Sequence, residues 1–257
     1  MVVPTGRDSS PCEESRVPDI KAVIFDMYET LVHNHPSLWL PTFDQVCRDQ
    51  GVPLTGQQLW DQWKPLELGF RRARNQRDGS GGTPPFKTYE HAWRDCFAQV
   101  FRQVGKGDAA DAARRCVVAL GERELFRETS KVIARLKSAN LFRLGVLSNA
   151  DNDSLWPLLR RHGLEFDAVV TSEAAQAYKP DPRPFQLMLQ ALAVPPEACM
   201  FVGDSQDDDV HGARTAGMRT VWLNRNGTPL DRRLSLPDYQ VAGLAEVLDI
   251  LEVLEVA

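Results

Sequence analysis

No apolar run of about 18 residues or more occurs in the 257-residue sequence, so no membrane-spanning segment is predicted. Cysteine is scarce and odd in number: Cys12, Cys47, Cys96, Cys116 and Cys199 are widely spaced and form no CxxC pair. That pattern excludes a disulfide framework and reads as reduced, mostly buried thiols in a cytoplasmic protein. Positive charge is not in excess, with 30 Lys and Arg against 35 Asp and Glu, which removes the usual reason to expect nucleic acid or an anionic membrane as partner. The opening residues 1–19 lack an apolar signal core and are rich in Ser, Pro, Glu and Asp, and are expected to form a disordered tail, neither secretory nor structural. There is no internal repeat. What remains is an ordinary globular composition, 43% hydrophobic and 25% charged, in a chain long enough for one large domain or a domain with a sizeable insertion.

Short runs rich in Val, Ile, Leu and Phe recur along this chain: "KAVIFD" (21–26), "FRLGVLSN" (142–149), "FDAVVTSE" (166–173), "CMFVGD" (199–204) and "RTVWLN" (219–224). Each is too short for a helix and is bounded by turn or cap residues, as expected of strands buried on both faces. Amphipathic segments of helical length separate the later ones, including "SLWPLLRRHG", "PRPFQLMLQALA" and "DVHGARTAG", the last ending on Gly217 as a C-cap. Alternating strand and helix predicts an α/β fold with a doubly wound, Rossmann-like parallel sheet. Residues 36–124 break the rhythm with no strand-like run and helical patterns near 37–50, 55–77, 88–104 and 108–122. In the third, Trp93, Phe97, Val100, Phe101 and Val104 share one face, and "RDGSGGTPP" (77–85) is a flexible break before it. The expected organisation is therefore a core of residues 20–35 and 125–257 with an all-helical insert at 36–124.

Active groups in such sheets gather at the carboxyl ends of the strands. Asp26 stands where the first apolar run meets a polar turn, and taken alone it reads equally well as a turn or N-cap aspartate. Three further strand ends alter that balance: Ser148-Asn149 after the second, "YKPDPRPF" with Lys179 after the third, and Gly203-Asp204 after the fourth. Neighbouring parallel strands would bring a nucleophile, a hydroxyl, an ammonium and a second acid to one edge.

With these residues in view, the sequence resembles the haloacid dehalogenase (HAD) superfamily, in the branch that carries a helical cap between its first two motifs. The motifs are "DMYETL", "LSNA", "YKPDPRPF" and "VGDSQDDDVHGARTAGM", in order and at suitable spacing. The resemblance implies an aspartyl nucleophile, Asp26, that forms a covalent intermediate later hydrolysed by water. It implies Mg²⁺ held by Asp26, the Tyr28 carbonyl and Asp204, because an anionic nucleophile facing a phosphate is repelled by roughly 4 kcal/mol per charge pair at 4 Å and effective dielectric 20. Lys179 adds a fixed positive charge, and Ser148 with the Asn149 backbone would hold a transferring oxygen. Thr30 would fix the turn after Asp26 and touch the phosphate. In "DDD", Asp207 reads as a solvated acid at a helix N-terminus. Asp208 and Asp209 match the supporting acids of the family pattern, and Asp209 is the better candidate to back Lys179 or a metal-bound water.

Two features of the resemblance point in opposite directions. Family phosphatases carry a second aspartate two residues after the nucleophile, which protonates the leaving alkoxide and then activates water. Here that position is Tyr28, a poor base at neutral pH. "DMYETL" instead fits the D-x-Y-x-T-L form of the dehalogenases proper, whose halide leaves without a proton. Against this, the dehalogenases have a neutral Ser/Asn-rich fourth motif and use no metal, whereas Asp204 is a second carboxylate beside Asp26, costly without a shared cation or proton. Phe185 also stands where they carry a tyrosine, and their halide-binding cap arginine has no match near Trp60 to Lys64. Weighing the metal site more heavily gives a Mg²⁺-dependent phosphatase acting on a small, anionic phosphomonoester. A 2-haloacid dehalogenase is the alternative, and a non-catalytic protein on the same scaffold the third.

Other signals are weaker. Arg71, Arg72, Arg74 and Arg77 crowd one end of the second cap helix, where a solvated face is favoured over contact with an anionic substrate. His33 and His35 form an H-x-H pair without a third ligand, which favours an ordinary flap at the cap hinge over a metal site. Trp39, Trp60, Trp63 and Trp93 are expected to pack the cap, with a hydrophobic substrate pocket as the minority reading.

Overall fold

The fold was analysed in a computed structural model that describes residues 20–76 and 84–252. The expected tail at 1–19 and most of the flexible break lie outside the described residues. The first strand, β1 (Ala22–Phe25), is followed by four helices: α1 (Leu40–Gln50), α2 (Gly56–Ala73), α3 (Tyr89–Val104) and α4 (Ala109–Leu120). The chain then enters α5 (Thr129–Ala139), β2 (Arg143–Ser148), α6 (Asn152–Arg161), β3 (Ala168–Thr171), the single turn α7 (Ser172–Ala175) and α8 (Pro182–Leu192). It ends with β4 (Cys199–Gly203), a π-helical turn Gln206–His211, α9 (Gly212–Thr215), β5 (Arg219–Leu223), β6 (Tyr239–Val241) and α10 (Glu246–Ile250).

The six strands form one sheet in the order β3-β2-β1-β4-β5-β6, with every pairing parallel. This is the strand order of a doubly wound α/β sheet, whose crevice opens where the order reverses, beside β1. Side chains alternate across the sheet with period two. Val23 and Phe25 of β1, Leu144 and Val146 of β2, and Met200 and Val202 of β4 enter the core on one face. Ala22 and Ile24, Leu147, and Cys199 and Phe201 enter the core on the other. Burial on both faces explains why these strands read as continuous apolar runs. It also leaves their polar chemistry only one outlet, the strand ends.

The helices between β1 and β2 build a separate apolar core from Trp39, Phe43, Trp63, Trp93 and Phe97 with Val46, Cys116 and Val117. Ring centroids are 5.3 Å apart for Trp39 and Trp93, 5.2 Å for Phe43 and Trp63, and 5.4 Å for Trp63 and Phe97, within the range of favourable aromatic pairs. The ends of these helices are set locally. Thr55 and Gln58 close a reciprocal capping box at α2, Thr88 caps α3 and Asp108 caps α4, while Gly51 and Gly105 adopt the left-handed conformation that ends α1 and α3. The expected helix near 55–77 stops at Ala73, and the segment read as one helix from Asp209 to Gly217 is a π-helical turn followed by the short α9. Cys47, Cys96, Cys116 and Cys199 are free and buried. No helix among the described residues is long and apolar enough to cross a membrane.

One buried acid joins the helical insert to the sheet. Asp151, just after β2, accepts the Tyr89 N–H at 2.7 Å and the Glu90 N–H at 2.8 Å, two of the open donors at the start of α3. Burial pushes its carboxyl up to about 6 even though these two donors favour the anion. Replacing Asp151 by Ala strands both N–H groups and is expected to lower unfolding free energy by about 1–3 kcal/mol, read by urea denaturation. An unchanged midpoint would show that α3 does not depend on this acid.

Candidate active site

Three strand ends supply the charged floor of a cavity of about 280 Å³ between the sheet and the helical insert. Asp26 follows β1, with its N–H bonded to the Val202 carbonyl at 3.0 Å, which locks the turn to β4. Asp204 follows β4. Lys179 comes from the loop after β3, and its ammonium is fully buried between Asp26 (2.8 Å) and Asp209 (2.5 Å), with a third bond to the Leu147 carbonyl at 3.0 Å. Burial works to neutralise Lys179, but Asp209 and Asp26 outweigh it and hold the ammonium charged well above the ordinary lysine range. The carboxylates of Asp26, Asp204 and Asp209 offer oxygens within 4.8 Å of one another. Among the described residues this is the one acid-rich group placed to hold a metal ion.

The loop after β4 is shaped for that approach. Ser205 caps the π-helical turn by accepting the Asp208 N–H at 3.1 Å, and Asp209 reciprocates by accepting the Ser205 N–H at 2.9 Å. A Cβ on Gly203 would collide with the Asp209 carboxylate, so only glycine lets Asp209 reach Lys179 from there. Burial, aided by the Asp26 charge and opposed by Lys179, pushes the Asp209 carboxyl up to about 7. Asp204 is raised well above its usual range, first by burial and then by Asp209 and Asp26. The one hydrogen-bond donor to its carboxylate among the described residues is the Thr30 hydroxyl, at 3.4 Å. Three carboxylates against one ammonium leave the floor short of positive charge, and the oxygen donors suit a hard cation such as Mg²⁺.

The remaining expected residues divide between wall and support. The Ser148 hydroxyl is buried at the cavity wall with no partner among the described residues, available to a ligand oxygen. Asn149 accepts the Lys179 N–H at 2.8 Å and donates to the Lys179 carbonyl at 3.2 Å and to Asp208 at 3.1 Å, so its side chain holds the lysine loop in place. Tyr28 lines the cavity, but its hydroxyl is buried and makes no hydrogen bond among the described residues, and burial pushes its pKa above the ordinary phenol range. Thr30 is wholly buried and not part of the cavity wall, contrary to the expected substrate contact; it supports Asp204 from behind. Phe185 is also remote from the wall, packed against Phe201 under α9. Asp207 is exposed, as a helix-start acid should be.

Of the arginines, Arg74 is buried and bonds Asp208 at 2.8 Å and the Tyr89 hydroxyl. Arg71 lines the cavity, Arg72 is exposed, and Arg77 lies outside the described residues. Trp39 and Trp93, together with Tyr89 and Leu120, form an apolar wall as well as part of the cap core. Helical periodicity marks these aromatics as inward-facing but cannot say that they reach a cavity. Glu29 and Asn34, also in the wall, carried no sequence signal beyond proximity to "DMYETL". His33 packs on Phe126 with ring centroids 3.8 Å apart, and His35 bonds Ser37; neither joins the acid cluster.

With the strand order and this constellation established, comparison places the chain in a family. The model of the haloacid dehalogenase-like hydrolases matches residues 20–217, and the chain belongs to that family. Among curated relatives, the (S)-2-haloacid dehalogenase of Pseudomonas sp. (strain YL) is 28% identical over 236 residues, 91% of this chain and 95% of its own length. The phosphoserine phosphatase of Thermus thermophilus is 37% identical over 165 residues, 61% of this chain and 66% of its own length. Among solved structures, the HAD-hydrolase YfnB from Bacillus subtilis, bound to magnesium, superposes with a TM-score of 0.73 at 23% identity, covering 91% of this chain and 99% of that one. Several other relatives that match along about nine-tenths of this chain are also 2-haloacid or haloacetate dehalogenases.

Replacing Lys179 by Met leaves Asp26 and Asp209 buried without their ammonium, a loss of about 3–5 kcal/mol for a broken buried pair. Carboxyls that titrate higher in the folded than in the unfolded chain bind more protons when folded, so stability falls as pH rises from about 4, the unfolded value, through the raised folded values. The variant is therefore expected to lose more stability at pH 8 than at pH 5, measured by urea denaturation at both. An equal loss at both would contradict the charge argument.

Proposed function

We propose that this hydrolase cleaves the carbon–halogen bond of a small 2-haloacid through an ester on Asp26. The observation that carries the reading is Tyr28. Where a phosphatase needs an acid that becomes a base, this chain has a buried phenol with no hydrogen-bond partner among the described residues, held protonated by its surroundings. Halide needs no such group, because it departs as a stable anion. The match to dehalogenases along about nine-tenths of the chain supports the same choice, against the ranking that weighed the metal site, Phe185 and the missing cap arginine more heavily.

In this reading an Asp26 oxygen attacks the halogen-bearing carbon, a C–O bond forms as the carbon–halogen bond breaks, and the halide leaves with the electron pair. Lys179 holds Asp26 in place through its 2.8 Å bond, while the Ser148 hydroxyl and the Asn149 backbone would hold a substrate oxygen. Water then attacks the ester carbonyl carbon. The acyl–oxygen bond breaks with its electron pair on the departing oxygen, which takes up the proton that came from water and leaves as the 2-hydroxy acid, and the Asp26 carboxylate is restored. Asp209, whose carboxyl burial pushes up to about 7, is the group suited to accept the water proton and pass it to the departing oxygen.

A second reading, a Mg²⁺-dependent phosphatase for a small phosphomonoester, is favoured by one observation, the third carboxylate at Asp204. Asp26, Asp204 and the Tyr28 carbonyl would hold the ion, which when bound offsets the repulsion between the acids and a phosphoryl group. That carbonyl accepts no backbone N–H among the described residues, which leaves it available as a ligand.

The two readings separate in a paired assay of halide release from 2-haloacids and phosphate release from phosphomonoesters, each with Mg²⁺ and with chelator. Halide release insensitive to chelator is expected, lost at least ~10³-fold in Asp26→Asn. Phosphate release abolished by chelator, without halide release, would transfer the assignment to the second reading.

A further inference from the structure

The roof of the cavity carries a cation that the reaction chemistry above leaves without a task. Arg71, in the last turn of α2, donates its Nε to Glu67 one helical turn earlier. Glu67 is only 1% accessible and is also held by Lys64 at 2.7 Å, so its charge is already matched without Arg71. The Arg71 guanidinium lies 5.6 Å from the Tyr89 ring centroid, close enough for the ring to help orient it. Its two terminal nitrogens donate to no group among the described residues, and 40% of the side chain is accessible. A guanidinium pinned through Nε and open at its outer edge is a preorganised fork for a carboxylate.

The contrast with the other cations sharpens the point. Lys179 is the one other cation in the cavity wall among the described residues, and it is consumed by Asp26 and Asp209. Arg74, one turn on, is taken by Asp208 and Tyr89. The floor is acidic and repels anions, so an anionic group on a ligand is stabilised at the roof. The apolar part of the wall is Trp39, Trp93 and Leu120, suited to the short side chain on the carbon next to the carboxylate of a 2-substituted acid.

We propose that Arg71 reads the carboxylate of the substrate, while the side chain on the neighbouring carbon packs on Trp39 and Trp93. This deepens the hydrolase reading of the same cavity and rests on it for the reacting atom. Arg71 is a binding and specificity residue, with Glu67 positioning it.

The test is a ligand titration on the full chain, followed by the fluorescence of the wall tryptophans, using 2-hydroxybutyrate and its neutral amide as probes. The wild type is expected to bind the acid at least ~10-fold more tightly than the amide. Arg71→Met is expected to weaken acid binding about 10- to 100-fold and erase the difference, with Arg71→Lys recovering part of it. Should Arg71→Met fold poorly because Glu67 loses a partner, the double variant Glu67→Gln/Arg71→Met removes that acid as well and is read the same way. Equal acid binding by wild type and variant, or no preference for the acid in the wild type, overturns the proposal, as does a variant that loses stability while keeping the preference. Acid binding that depends on Arg71 without release of halide or phosphate would sustain it while the hydrolase reading fails. Halide release with a KM untouched in Arg71→Met would do the reverse.

Discussion

The ammonium of Lys179, shared between Asp26 and Asp209, is the contact on which the site depends. It joins the ends of β1, β3 and β4 through bonds of 2.8 and 2.5 Å in a space closed to water. Two buried carboxylates at such range repel each other, and the energy of that repulsion is comparable with the whole stability of a domain unless a cation intervenes. The sheet can therefore bring three carboxylates from two strand ends together only because the loop after β3 inserts its lysine among them. Gly203 follows from the same requirement, since any side chain there would occupy the place of the Asp209 carboxylate.

The lysine is itself held by parts of the chain far apart in sequence. Asn149 clamps the Lys179 backbone from both sides, and Asn75, just beyond α2, donates to the Lys179 carbonyl at 3.1 Å. Asp208 accepts from Asn149 and from Arg74, so a chain of hydrogen bonds runs from the helical insert through the loop after β4 to the lysine loop. Arg74 is flanked by the Tyr178 ring, 4.6 Å from its guanidinium carbon, and is thus oriented before it meets Asp208. The insert does more than cover the cavity: it contributes bonds that fix the backbone of the residue on which the charge balance rests.

Much of this was legible in the sequence because the signals were local. The five apolar runs became β1 to β5 within a residue or two of their expected ends, and the four helical patterns at 37–122 became α1 to α4. β6 escaped notice because Tyr239–Val241 is three residues long and edges the sheet, where one face is not buried. The chemistry-bearing residues were legible as types at strand ends, but their partners were not. That Thr30 lies behind Asp204, that Asn149 serves the lysine backbone, and that Arg71 and Arg74 part ways within one helical turn are facts of tertiary packing. A run of arginines in a sequence looks alike at every member. Glu67, buried where α2 rests on its neighbours, pins Arg71 through its Nε, and Arg72, one position on, makes no such bond among the described residues.

Tyr28 and Asp204 pull the chemistry apart, and the floor's charge balance shows why both can coexist. Asp26, Asp204 and Asp209 with Lys179 carry a net charge of minus two if all are ionised, and the repulsion at 4.8 Å or less falls hardest on Asp204, which Lys179 does not bond. That excess has two physical outlets. A proton on Asp204 would make it a neutral hydroxyl donor and lower the excess charge by one, and the buried phenol at Tyr28 is then not called on to give up or accept a proton. A divalent ion held by Asp26 and Asp204 would keep Asp204 ionised and offset the charge of a phosphate, but the successive roles of acid and base would then fall to a phenol that its surroundings hold protonated. In the dehalogenase reading proposed above, the first outlet is the one that suits the site, because halide departs without asking a proton of Tyr28.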